Sequence, residues 1–197
     1  MTAFATSNPA FALDTLVALA AQHFGKTGTL RPLPSERDQN ARLVCQDGEY
    51  VLKIANPAED PGQIDLQNAT MLHLAQVGQA GIPRVVPTLS GADRATVSVN
   101  GQPAALRLVS WIGGTPLAEA PRSLEQLANL GHFMGGLTRS MQGFGHPQAF
   151  RPDFPWSLDH VIQLRDHAED IADPARRDMV KKLFSRYETQ VLPNLPM

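Results

Sequence analysis

A cation in the middle of an apolar strand constrains this chain more than any other feature. In the run Tyr50-Val51-Leu52-Lys53-Ile54-Ala55, alternate side chains share a face, so Lys53 points with Val51 and Ala55 while Tyr50, Leu52 and Ile54 fill the other side. An ammonium buried without a partner costs several kcal/mol, so this placement calls for an anionic ligand or a polar group facing Lys53, with phosphate as the first candidate. The alternative is a solvated edge strand, with the lysine stem on the sheet and its head in water. The neighbouring elements have to decide.

Upstream, Leu13, Leu16, Val17, Ala20 and Phe24 recur at helical spacing before Gly25, which predicts a packing helix. The pattern is short and extended over 28–34 and 41–45, with Asp47-Gly48 turning into the Lys53 strand. After a loop over 57–62, Ile64, Gln67, Met71, Leu72 and Ala75 form a helical stripe closed by Gly78, which puts Gln67 on the inward side. Segments 83–87, 95–99 and 102–108 read as further strands, the last two joined by Asn100-Gly101, a type I′ hairpin signal.

At Val109-Ser110-Trp111-Ile112-Gly113-Gly114-Thr115-Pro116 strand chemistry gives way to glycine and proline, marking a domain boundary. Residues 1–109 form one part, 110–122 a linker, and 123–197 a helical part. Ser123 with Gln126 makes a capping box ahead of the stripe Leu124, Leu127, Ala128, Gly131, Met134 and Met141. Gly131, Gly135 and Gly136 within that helix suggest close approach of another element. A third helix is expected from Ser157 to Ile171. A fourth opens at Asp173-Pro174 and runs to Pro193.

Composition narrows the partners. At 197 residues with 43% hydrophobic content, the chain can bury a core of its own. A formal net charge of −2 supplies no basic field, and no Lys/Arg cluster is interleaved with aromatics, so nucleic acid is not an expected partner. One cysteine, Cys45, excludes an internal disulfide and any Cys-rich zinc site. No signal peptide precedes the first apolar stretch, and that stretch, 10–21, is shorter than the about 20 residues of a bilayer span. A cytoplasmic protein without a membrane anchor is the expectation. The six histidines show no metal-ligand spacing and read as surface or packing residues.

An antiparallel five-stranded sheet carrying one inserted helix, with a lysine on its third strand and a short linker into helices, is the α+β layout of the small lobe of a kinase-like fold. The segments Pro34-Ser35-Glu36-Arg37-Asp38-Gln39-Asn40, Tyr50 to Asn56, Leu66-Gln67-Asn68-Ala69, Met71-Leu72-His73-Leu74 and Pro83 to Thr88 resemble the aminoglycoside phosphotransferase family, within it the hydroxylysine-kinase-like branch. The resemblance continues through Leu130 to Leu137, Gly143 to Pro147 and Trp156-Ser157-Leu158.

That resemblance implies a nucleotide, ATP or GTP with Mg²⁺, and a small hydroxylated amine or amino acid as acceptor. Lys53 would meet the α- and β-phosphates. Its usual glutamate partner on the helix is matched here by Gln67, which can orient the ammonium without pairing its charge. The loop from Ser35 to Asn40 would cover the phosphates through the Ser35 hydroxyl and backbone amides. Glu36 and Asp38 have the wrong sign for that job and must turn outward or be offset by Arg37; the other reading of the loop is a solvated polar turn. Ser110 to Ile112 would present backbone groups to the base, with Trp111 packed nearby or simply in the core. The family's His-Gly-Asp loop and second metal-binding aspartate have no counterpart in this sequence, so the chain is expected to stop short of its catalytic residues and to be inactive alone. An unfinished helical part should expose apolar surface around Val180, Phe184 and Tyr187 and promote self-association.

Overall fold

The computed structural model describes residues 8–151 and 158–194. Its elements run α1 (Leu13–Phe24), β1 (Gly28–Leu33), β2 (Gln39–Cys45), β3 (Gly48–Ile54), α2 (Pro61–Gln76), β4 (Val85–Val86), β5 (Ala95–Val99), β6 (Gln102–Ser110), α3 (Leu124–Ser140) and α4 (Pro174–Arg186). Between α3 and α4 lies a 3₁₀ helix, Leu158–Asp170. The backbone forms two compact units, one ending at Gln148 and one beginning at Ala149.

The first unit is built on an antiparallel sheet with strand order β1-β2-β3-β6-β4, and β5 also pairs with β6. The sheet therefore has six strands rather than five: all six segments read as strands from the sequence take part, and the 83–87 segment contributes β4, only two residues long, which runs against Val109 and Leu108. The β5–β6 hairpin closes as its turn signal requires. Asn100 and Gly101 take φ of 51° and 80°, the paired left-handed conformations of a type I′ turn, and Val99 faces Gln102.

Period-two alternation sorts the sheet into two faces. Leu43, Leu52, Ile54, Leu106 and Leu108 are fully buried on one of them, packed with Leu16, Ala20 and Phe24 of α1. The α1 stripe ends as its sequence demands, with Gly25 in the left-handed region donating its N–H to Ala21 O. Against the other face lies α2. The Asp60 carboxylate caps it by accepting from the Gly62 N–H at 2.9 Å, and Pro61 occupies its first position.

Helix α2 is turned relative to its expected stripe. Gln63, Ile64, Asn68 and Leu74 are its buried residues, whereas Leu72 is exposed. Apolar side chains occur on more than one side of this helix, so spacing alone did not fix which would pack. The glycines of α3 also differ from expectation. A Cβ built at Gly131, Gly135 or Gly136 meets nothing within 4 Å among the described residues, and none of the helix is buried.

In the second unit, Asp173 caps α4 by accepting from the Arg176 N–H at 3.1 Å. The helical path passes through a π turn, Tyr187–Val191, and a 3₁₀ turn, Leu192–Asn194, so Pro193 sits inside the last turn instead of ending the helix. The expected third helix is the 3₁₀ helix Leu158–Asp170, and Ser157 falls outside the described residues. Val180, Phe184 and Tyr187 are half-buried around an apolar cavity shared with Val161; the apolar side chains that α4 leaves exposed are Met179 and Leu183.

Candidate functional site

On the α2 side of the sheet, three polar residues stand in one row across three strands. Asn40 of β2 pairs with Lys53 of β3, and Lys53 pairs with Arg107 of β6. All three side chains therefore project from the same face. They do so because Val51, Lys53, Ala105, Arg107 and Val109 alternate with the core residues Leu52, Ile54, Leu106 and Leu108. Beneath α2 the row opens on a cavity of about 650 Å³ lined by Val51, Lys53, Leu66, Gln67, Thr70, Met71, Pro83, Arg107, Val109, Ser110, Trp111 and Ile112. Five of the six residues singled out from sequence, namely Lys53, Gln67, Ser110, Trp111 and Ile112, meet at this cavity.

The sixth, Ser35, reaches the site through Asn40. The Asn40 amide donates to Ser35 Oγ at 3.1 Å and its oxygen accepts from Lys53 Nζ at 2.9 Å. Lys53 is not a solvated edge residue: β3 lies between β2 and β6, and three-quarters of the side chain is covered. Burial holds its ammonium below the ordinary lysine value, partly opposed by the Asp38 carboxylate and reinforced by Arg107.

Two expectations about this neighbourhood are corrected. Asp38 does not turn away. Its Oδ2 lies 4.0 Å from Lys53 Nζ while its Oδ1 accepts from the Asn56 N–H at 3.2 Å, because that backbone donor at the end of β3 fixes the carboxylate inward. Arg37 instead pairs with Glu59 at 3.3 Å, and Glu36 is the acid that faces solvent. Nor does Gln67 orient Lys53. Its Oε1 accepts from Arg107 Nη2 at 2.8 Å, so the amide that stands where a glutamate was expected serves a different cation.

Arg107 is the residue that sequence reasoning missed. It is 2% exposed, and its Nη1 donates to Asn68 Oδ1 at 3.1 Å. Its signal was the one that marked Lys53, a cation alternating inside an apolar strand, here Ala104-Ala105-Leu106-Arg107-Leu108-Val109. Asp65 behaves as its off-stripe position implies, pairing with Arg94 at 2.7 Å, and the Arg94 guanidinium pulls its carboxyl below the ordinary range.

At the far end of the cavity the end of β6 and the residue after it are held by neighbouring strands and loops. Trp111 N–H donates to Glu49 O and Ser110 N–H to Arg84 O, both at 2.9 Å, and the Ser110 hydroxyl accepts from the Arg84 N–H at 2.8 Å. Trp111 is half-buried, with its ring under the Arg42 guanidinium at 4.4 Å, and Arg42 is itself paired with Glu49 at 2.5 Å. The tryptophan is thus a wall of the cavity and not part of the core. Chemically, the arrangement offers a cationic floor, an apolar slot and a polar rim, which suits an anion carrying a flat apolar group.

Among the described residues, no group of three or more His, Cys, Asp or Glu side chains converges in a way that could hold a metal ion. None of the described helices is long and apolar enough to cross a membrane.

A family model described as "Phosphotransferase enzyme family" matches residues 29–196. A hydroxylysine kinase of Mus musculus is 27% identical over 211 residues, covering 97% of this chain and 55% of that protein. One of Xenopus laevis is 29% identical over 206 residues, covering 96% and 55%. The chain thus spans little more than half the length of these relatives. Among solved structures, an amicoumacin kinase in complex with AMP-PNP and Ca²⁺ superposes with a TM-score of 0.70 at 15% identity, covering 95% of this chain and 55% of that one. A microcompartment-associated aminopropanol kinase gives 0.58 at 19% identity, covering 80% and 55%. At such identities the superpositions establish the fold.

Proposed function

We propose that this chain, which belongs to the phosphotransferase enzyme family, is the nucleotide-binding part of a small-molecule kinase, with residues 110–122 as the linker between its lobes. The observation that carries the reading is Lys53, three-quarters covered on the sheet face and opening into the cavity through which Gln67, Ser110, Trp111 and Ile112 are also reached. A nucleoside triphosphate fits that chemistry. Its phosphates would meet Lys53 and the Ser35–Asn40 loop, and its base would lie in the slot between Val51, Val109 and Trp111. Because the Ser110 and Trp111 N–H groups are engaged within the protein, Ile112 is the linker residue to supply a backbone donor to the base.

The acceptor proposed is a hydroxylated amine or amino acid, in keeping with the hydroxylysine kinases among the relatives. ATP and GTP both suit the cavity. A divalent cation is expected with the nucleotide, as Ca²⁺ accompanies AMP-PNP in the amicoumacin kinase. The described residues offer no metal-binding cluster, so no step is assigned to a cation here. The sequence contains no His-Gly-Asp segment, and on that ground the 197-residue chain is proposed to bind nucleotide without transferring phosphate. A purely regulatory nucleotide-binding module is the second reading favoured by the same absence.

Titration of the chain with ATP and GTP, with and without Mg²⁺, tests the proposal. Binding is expected for the wild-type chain and a loss of at least about tenfold for Lys53→Met, since a charge-assisted contact to phosphate is removed. An unchanged affinity in Lys53→Met would return that lysine to a structural role. Phosphate transfer to hydroxylysine by the 197-residue chain alone would overturn the assignment of inactivity.

A further inference from the structure

We infer that Arg107 is the second cation of a two-cation polyphosphate clamp, and that Gln67 and Asn68 hold it in place as the usual helix acid would hold the lysine. This rests on the nucleotide reading above and extends it to a residue outside the expected set. Arg107 and Lys53 are direct cross-strand neighbours on the same face. Two like charges placed side by side under cover repel one another and are normally avoided, unless an anion between them is part of the design.

The neighbouring acids do not neutralise them. Asp38 lies by Lys53, Glu59 is held by Arg37 and Asp65 by Arg94. Four cations thus face three carboxylates, and among the described residues Arg107 is the one of the four with no carboxylate within ion-pair distance; its hydrogen bonds go to neutral amide oxygens, Gln67 Oε1 at 2.8 Å and Asn68 Oδ1 at 3.1 Å. Its buried Nε has no partner among the described residues. An amide holds a guanidinium in position while leaving its charge undischarged. A glutamate at position 67 would do the opposite, pairing with Arg107 and withdrawing that charge from a ligand. The amides of α2 therefore keep the guanidinium oriented beside Lys53 and available to an anion.

The deciding variant is Gln67→Glu, at an exposed position where folding is not in question. If the amide merely stood in for a helix acid that pairs with Lys53, restoring the acid would leave polyphosphate binding as tight as in the wild type or tighter. The clamp predicts the reverse. ATP and tripolyphosphate should bind about tenfold more weakly to Gln67→Glu, with adenosine binding unchanged. Arg107→Lys, which keeps the charge but loses the fork, should fall between the wild type and Gln67→Glu for tripolyphosphate.

Unaltered or tighter ATP binding in Gln67→Glu overturns the clamp, as does an equal loss for ATP and adenosine, which would mark a packing role. The two proposals fail separately. Loss confined to Lys53→Met removes Arg107 from the site and leaves the nucleotide reading intact. Binding of tripolyphosphate but not ATP by the wild-type chain sinks the nucleotide reading and leaves the clamp. Binding of neither sinks both.

Discussion

Lys53 works against the stability of the protein that carries it. Burial holds its ammonium below the ordinary value of 10.5, the Asp38 attraction notwithstanding. Below the folded-state value both folded and unfolded chains carry the proton, and the full desolvation cost is present. Between that value and the ordinary one the unfolded chain binds more protons, so stability rises as pH climbs through the window. Lys53→Met removes the cost and should make the unliganded chain more stable at pH 7, by about 1 kcal/mol, while removing nucleotide binding. Denaturant unfolding measures this; a less stable variant would mean that Asp38 and Asn40 more than repay the burial. Nucleotide affinity should move the opposite way with pH, falling as Lys53 loses its proton at a pH below 10.5, and Lys53→Arg should flatten that alkaline fall. The direction in which Lys53 points was legible because alternation along one strand needs only local sequence. Its partners were not. Asn40 and Arg107 reach it through strand pairings 13 and 54 residues distant, and a polar turn such as 35–38 carries no periodicity to say which of its acids faces inward.

At the scale of elements, what the sequence made plain was whatever a few neighbouring residues decide. The Asn100-Gly101 turn, the Gly25 helix end and the Ser123 and Asp173 caps all formed where their chemistry placed them. What it hid depends on a partner far along the chain, such as the rotation of α2 and the brevity of β4. Helix α3 makes the distinction measurable. Its Ser123 hydroxyl accepts from the Gln126 N–H at 3.0 Å, so Ser123→Ala should cost about 1 kcal/mol. Its interior glycines meet no neighbour among the described residues, so Gly131→Ala should stabilise the chain by roughly 0.5–1 kcal/mol, through helix propensity. Thermal unfolding of the two variants gives both signs. A destabilised Gly131→Ala would reveal close packing at that position, as the sequence alone suggested.

Over the whole molecule, apolar surface is distributed unevenly. The sheet is closed by α1 on one face and by α2 and the cavity on the other, yet α3 has no buried residue, and most of its apolar stripe is exposed. Leu124 is 86% exposed and Leu127 57%, with Met134 at 49%, all on one side of the helix at i, i+3 and i+10. A monomer rarely shows water a continuous stripe of this kind. The 197-residue chain should therefore bind a hydrophobic dye and associate with itself as its concentration rises. Replacing Leu127 and Met134 together by glutamate tests the stripe directly, because neither side chain contributes to the core and the fold should survive. Sedimentation of the double variant should show a monomer with little dye uptake. Persistent association in that variant would transfer the effect to another surface, with Met179 and Leu183 of α4 as the next to change. A wild-type chain that stays monomeric and binds no dye would mean that the stripe is covered in solution.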